Sequence, residues 1–288
     1  MVSKKRIAQY IEDKHLADGG YFFAKVEPSS GQDTYLAVKT LRLLGMKPKH
    51  LESILRFWRQ EDKDKNLDSI NGLFFASQTL KELGANQQFL NHYRSYLRDQ
   101  LHNPSVFVKN VFFVDGEGGF DFNNSSIAIL YSDYIERELE TLFYLCSLFR
   151  DFQISFDRSR IVSYLKSLQN TDGGFGSIRG SNLATTYHAL SSFKILGEDD
   201  FEKEKVATYL ISKRQMINYL EDWFYFIESL DLIGETITGV QSVSTFIGRC
   251  SRANGGFSRS QFIGISTIED TYYAVSLLRV LGNSFVND

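Results

Sequence analysis

The stretch Tyr164-Leu165-Lys166-Ser167-Leu168-Gln169-Asn170-Thr171-Asp172-Gly173-Gly174-Phe175-Gly176 is followed by Thr186-Tyr187-His188-Ala189-Leu190 and closed by Leu196-Gly197. Arg160 to Leu168 has the apolar spacing of a helix, Gly173-Gly174 breaks it, and Thr186-Tyr187 opens a second helix. Glycine just past the end of that helix is a C-terminal cap. The unit therefore reads helix, Gly-Gly loop, helix, Leu-Gly.

Working outward, Gly-Gly-aromatic recurs at Gly19-Gly20-Tyr21, Gly118-Gly119-Phe120 and Gly255-Gly256-Phe257. The Thr-Tyr block recurs at Thr34-Tyr35 and Thr271-Tyr272-Tyr273, and Leu-Gly at Leu44-Gly45 and Leu281-Gly282. Stops of the same kind stand at Leu83-Gly84 and Ile233-Gly234, with one more near Phe149, so six helix pairs of about 48 residues fill the chain. Val240 to Cys250 is the helix before the fourth Gly-Gly. The second and fifth pairs lack Gly-Gly, and the third carries an insertion from about His102 to Asp133. An amphipathic helix pair cannot bury its apolar face alone, so the pairs must stack as a solenoid or close into a ring. Leu183 to Leu196 and Tyr272 to Leu281 are apolar nearly all round, as inner-layer helices are, whereas Glu202 to Ser212 keeps a charged face. The expectation is an all-α (α/α)6 barrel, a single domain over residues 1–288.

Composition agrees. The 288 residues include 24 Phe and 15 Tyr but only 3 Pro, which favours long helices around aromatic packing. With 32 basic against 35 acidic residues and a net charge of -3, a nucleic-acid partner is not expected. Cys146 and Cys250 cannot build a disulfide framework and point to a reducing, cytoplasmic setting. Met1 to Arg6 lacks a following apolar region, so no secretion signal is expected, and Leu142 to Phe149 is too short to span a bilayer.

The Gly-Gly-Phe and Thr-Tyr blocks resemble the prenyltransferase and squalene-oxidase repeat, which builds the toroid of protein prenyltransferase β subunits and, in a related form, class II terpene cyclases. The similarity also covers Asp18 to Gly45, Asn254 to Gly282 and, more weakly, Glu117 to Phe122. The resemblance implies an isoprenoid or similar apolar ligand and admits a helical partner protein. It also implies where chemistry should sit. Phe175 to Tyr187 and Phe257 to Tyr272 keep the family's spacing, which places Ala184, Thr186 and Glu269 where prenyltransferases bind zinc with Asp, Cys and His. A methyl and a hydroxyl do not replace carboxylate and thiolate on zinc, so no metal and no cofactor are expected. The family's diphosphate-binding positions fall on Ile178, Ser181 and Glu117; Tyr187 remains, with Arg179 one place from where a cation should be.

Against the cyclase acid motif stands Thr267-Ile268-Glu269-Asp270-Thr271. Glu269 beside Asp270 in an apolar mouth would be a raised-pKa acid, making both candidate catalytic residues. The plainer reading makes Asp33-Thr34 and Asp270-Thr271 helix-start caps. His188 is the one histidine on an inner helix. Inner-helix starts and Gly-Gly loops should share one end of the barrel, gathering Tyr35, Glu117, Arg179, Tyr187, His188, Tyr272 and Tyr273 as ligand-binding candidates, with Asp33 and Glu269. Such a lining suits an isoprenoid and would stabilise a carbocation; paired acids in a helical barrel also suit glycoside hydrolysis, but the repeats favour the first. Three functions follow: an apolar-ligand-binding toroid without zinc, a metal-independent cyclase using Glu269, and a non-catalytic toroid that binds a protein.

Overall fold

A computed structural model describes residues 3–102, 125–177 and 180–282, with side chains from 100–102 and 125–136 left aside. Twelve α-helices lie among these residues: α1 Lys4–Glu12, α2 Gly31–Leu43, α3 Leu51–Lys63, α4 Ile70–Leu83, α5 Tyr93–His102, α6 Ser125–Asp151, α7 Arg158–Ser167, α8 Leu183–Leu196, α9 Lys203–Lys213, α10 Leu220–Ile233, α11 Val240–Cys250 and α12 Ile268–Val280. They alternate in character as the repeat requires. In α8 nine residues from Thr185 to Leu196 are buried, and in α12 ten, whereas α9 buries only Val206, Ala207, Tyr209 and Leu210. Two two-stranded hairpins, β1 Gly176–Ser177 with β2 Gly180–Ser181 and β3 Phe257–Ser258 with β4 Ser266–Thr267, follow the third and fourth Gly-Gly pairs.

The glycine stops are left-handed caps. Gly45, Gly84, Gly197, Gly234 and Gly282 have φ between 63° and 78°, where a side chain is strained. The stop after α6 uses Gln153 at φ 53° instead, its amide bonding the carbonyl of Arg150 and that of Ile154 the carbonyl of Phe149, the pattern Gly45 and Met46 repeat on Arg42 and Leu41. One boundary needs correction. The third-pair insertion expected to run to Asp133 ends earlier, because α6 starts at Ser125; Ser125 to Asp133 holds neither Gly nor Pro and continues the apolar helical pattern into Leu139.

The threonine of each Thr-Tyr block ties the loop to its helix. Thr34, Thr186 and Thr271 hydroxyls accept from the amides of Tyr21, Phe175 and Phe257 at 2.9, 3.1 and 3.1 Å. Each donates in turn to the carbonyl four residues back, at 2.7, 2.7 and 2.6 Å. The first glycine of each described pair then presses on the first helix of a neighbouring helix pair (first helices form the first layer, second helices the second): a Cβ on Gly19, Gly173 or Gly255 would run into the carbonyl oxygen of Ser53, Lys205 or Arg6. The second glycine leaves room for Tyr209 at Gly174 and Tyr10 at Gly256, whose rings would lie 2.7 and 2.6 Å from an added Cβ.

The helices gather into two compact units, one holding residues up to Phe89, Met216–Ile227 and the residues from Thr236 on, the other Leu90–Gln215 and Glu228–Glu235. In the first, α2 packs between α4 and α12, and the last Gly-Gly loop lies on α1, where the Arg6 guanidinium also donates to the carbonyl of Ala253. The last repeat thus rests on the first, a contact that an open solenoid lacks. In the second unit α6 packs on α8.

Candidate functional site

In the first unit the second-layer helices α2, α4 and α12 and the first half of α10 are covered on most sides and leave narrow stripes partly open: Gln32 and Lys39 on α2, Phe75 on α4, Tyr225 on α10 and Glu269 on α12. Along these stripes the aromatic rings form two clusters. Phe74 and Phe75 each stand 5.9 Å from Tyr35; Phe224 lies 5.6 Å from Tyr272 and 4.9 Å from Tyr273; Tyr225 lies 6.1 Å from Tyr273. The two halves are joined by Lys39, whose ammonium is 5.2 Å from the ring centres of both Tyr35 and Tyr272 and donates to the Tyr35 hydroxyl at 2.8 Å. Seven rings from four helices make one wall with a cation set into it.

The acid at this wall is Glu269. Its Oε1 accepts from the Tyr273 hydroxyl at 3.0 Å and from Gln32 Nε2 at 3.1 Å, so the starts of α2 and α12 lie side by side. Burial raises its pKa, the Tyr273 bond opposes this, and Asp270 adds a smaller upward push. Burial outweighs the neighbouring carboxylate that the sequence suggested as the cause. The same holds for Asp270, pushed to about 6 by burial against the hydrogen bond from Thr267. Tyr273 rises well above its ordinary value through burial, then Tyr225 and Glu269.

The expected caps are corrected. Ser30 and Thr267 cap α2 and α12, accepting from the amides of Asp33 and Asp270. Asp33, buried and with a raised pKa, instead accepts from the Phe23 amide at 2.9 Å, and the Asp270 carboxylate accepts from the Thr267 hydroxyl at 2.7 Å. Thr34 and Thr271 hold the loops. The turn at Gly197-Glu198-Asp199-Asp200 is a surface turn, with Asp199 paired to Lys203 and Asp200 to Lys166.

In the second unit Tyr187 and His188 meet Phe143 of α6. His188 stacks on that ring at 5.8 Å and Tyr187 lies 6.3 Å from it. His188 is buried, which depresses its pKa to about 3, so it is neutral at pH 7. Tyr187 is half-buried. Glu117 and Arg179 lie outside the described residues.

Of the three positions that the resemblance aligns with zinc ligands, only Glu269 carries a group that can bind the ion. Ala184 offers a methyl, and the buried Thr186 hydroxyl already accepts from Phe175 and donates to Asn182. Ser181, at a diphosphate position, donates to Asp172 at 2.7 Å and accepts from Asn170 at 3.1 Å, so its hydroxyl belongs to the loop. Among the described residues no three of His, Cys, Asp and Glu are grouped to hold a metal, and no helix is long and apolar enough to cross a membrane.

The sequence reading missed Lys39, Gln32, Phe74, Phe75, Phe224 and Tyr225. The aromatic pairs stand in the second and fifth repeats, which lack Gly-Gly; the Tyr35/Lys39 spacing of four, one helical turn, was the available signal for the lysine.

Helix pairs of this kind, three of them with the Gly-Gly and threonine loop among the described residues, are the repeat of an α/α toroid. The sequence profile of the prenyltransferase alpha-alpha toroid domain matches residues 1–72, 49–219 and 218–287, and the chain belongs to that family. No curated relative matches it. Among solved structures it is similar to the Candida albicans protein geranylgeranyltransferase-I complexed with GGPP, with a TM-score of 0.52 and 15% identity, over 96% of this chain and 84% of that one. At that identity the likeness is one of fold.

Proposed function

We propose that the protein binds an isoprenoid or similarly long apolar molecule against the aromatic wall, without zinc and without a diphosphate cradle, in the cytoplasm. The two ring clusters bridged by the Lys39 ammonium carry this reading: Phe75 and Tyr225 stand partly open over a bed of buried rings, with polar groups at defined points, as in small-molecule sites. The GGPP held by the Candida albicans structure is a ligand of that class in a related fold. Two buried free thiols suit a reducing compartment. Tyr35, Tyr272 and Tyr273 would supply the contact in the first unit.

A second reading makes the protein an enzyme in which Glu269 protonates the bound ligand, Asp270 assisting, as in the cyclases the repeat resembles. The raised pKa of a carboxyl set among tyrosines favours it. A non-catalytic toroid that binds a helical partner remains the third.

The test is mass spectrometry of lipid extracted from the purified protein, with thermal shifts against farnesol, geranylgeraniol and their diphosphates. Alcohols should stabilise at least as well as diphosphates, and Tyr272→Ala should reduce the shift. No stabilisation by any of the four overturns the proposal. Elemental analysis of the same sample should find no stoichiometric zinc; one zinc per chain refutes the assignment of Ala184 and Thr186 to the metal positions.

A further inference from the structure

On α10, Phe224 and Tyr225 belong to the aromatic wall, but the neighbouring Trp223 turns the other way, onto Phe246 of α11 at 6.2 Å. Between these helices and the loop joining β3 to β4 lies a groove of about 670 Å³. Its floor is Ile217, Trp223 and Phe246; its sides carry Gln241, Gln261 and Arg249. Gln261 reaches across from the loop to accept from Arg249 at 3.3 Å.

Two features separate this groove from ordinary surface. The flanking residues expose large apolar side chains: Phe262 is 82% exposed, Ile265 69%, Ile263 65% and Met216 71%. A globular surface seldom presents so many together unless they meet something. The lining holds one charged residue, the cation Arg249; of the two carboxylates that precede Trp223, Glu221 is held by Arg259 at 2.5 Å and Asp222 is half-buried, its pKa raised by burial. Carboxamides on the sides match the donors and acceptors of a peptide backbone, the apolar floor matches a large side chain, and the exposed Arg249 matches a carboxylate. A flat bilayer surface uses none of the concave part.

We propose that this groove docks a peptide segment of a partner protein in which a large apolar side chain stands close to an acidic one. The site is on the first-layer side of α10, away from the aromatic wall, and independent of any ligand there.

Fluorescence anisotropy with labelled short peptides tests it, each carrying Phe, Leu or Ile with Asp or Glu one to four positions away, against counterparts with Lys. At least one acidic peptide should saturate below about 1 mM, an affinity in reach of one anchored side chain and one charge pair. Its Lys counterpart should bind at least about tenfold more weakly. Arg249→Glu, an exposed change that leaves the circular dichroism spectrum as it is, should weaken it by a similar factor, and Phe262→Ser should weaken it less. Saturation of no peptide below that limit, equal binding of acidic and Lys peptides, or binding insensitive to Arg249→Glu overturns the proposal. So does sedimentation with phosphatidylcholine–phosphatidylglycerol vesicles that Phe262→Ser abolishes while no peptide binds, since the apolar loop then meets a bilayer. Self-association lost in Arg249→Glu, again with no peptide bound, would assign the groove to a second copy and overturn it too.

Discussion

Replacing Gly255 by Ala measures how firmly the last Gly-Gly loop is seated on α1. Its φ is 93°, and the added Cβ would meet the Arg6 carbonyl oxygen, which is main chain and cannot rotate aside. Gly45→Ala supplies the control, because Gly45 also has a positive φ, 76°, but nothing within 4 Å of an added Cβ. Both changes carry left-handed strain of about 1–2 kcal/mol, offset by some 0.4–1 kcal/mol from a stiffer unfolded chain. Only Gly255→Ala adds the cost of forcing two packed backbone segments apart, about 1–3 kcal/mol if it behaves like overpacking in a core. Urea denaturation followed by circular dichroism should therefore place Gly255→Ala about 1–3 kcal/mol below Gly45→Ala, with unchanged m. At this chain length that is a further fall of about 2–6 °C in melting temperature. Two variants within about 0.5 kcal/mol of each other would show that the loop does not bear on α1, and the packing of the last repeat on the first would have to be abandoned.

Glu138→Gln should stabilise the protein at neutral pH. Glu138 is 6% exposed and burial raises its pKa to about 7. Between its unfolded value near 4.5 and about 7 the native state holds the proton and the unfolded state does not, so its contribution to stability falls as pH rises. The variant should match the parent at pH 4 and exceed it at pH 8 by up to the order of 3 kcal/mol; equal stability at both pH values would place the carboxyl in contact with water. For Glu269, incubation with squalene or an isoprenoid epoxide and gas chromatography of the products tests the acid reading. Glu269→Gln should cost about 10²-fold in rate, and the parent's activity should fall as pH rises through the raised pKa. A Gln variant as fast as the parent, or no cyclised product from the parent, excludes acid catalysis by this residue.

The repeats were legible because their chemistry is local. A Gly-Gly pair followed by Thr-Tyr fixes a loop whose amide is taken by a threonine 11 to 14 residues on, and Leu-Gly fixes a left-handed cap. Gln153 escaped notice because its left-handed turn is imposed by the amides of Gln153 and Ile154 reaching back into α6 rather than by residue type. The true caps, Ser30 and Thr267, sit three residues before the acids that drew attention, and which hydroxyl turns to the helix depends on loop geometry. Half of the wall was read from Tyr35, Tyr272 and Tyr273; the other half comes from Phe74-Phe75 and Phe224-Tyr225, which become neighbours of those tyrosines only once α4 and α10 pack beside α2 and α12. The cation–π bracket around Lys39 is likewise a product of two helices more than 230 residues apart in sequence.

The seat of the last loop on α1 also sets an order of events during synthesis. The apolar face of α1, with Ile7, Tyr10 and Ile11 buried in the finished protein, leaves the ribosome before the loop that covers it. Part of what covers it, the turn around Ala253 and Gly256, lies about 247 residues downstream and emerges on the order of 10–50 s later. Through that interval the nascent chain carries an apolar helix face without part of its cover, a natural point of engagement for a holdase chaperone.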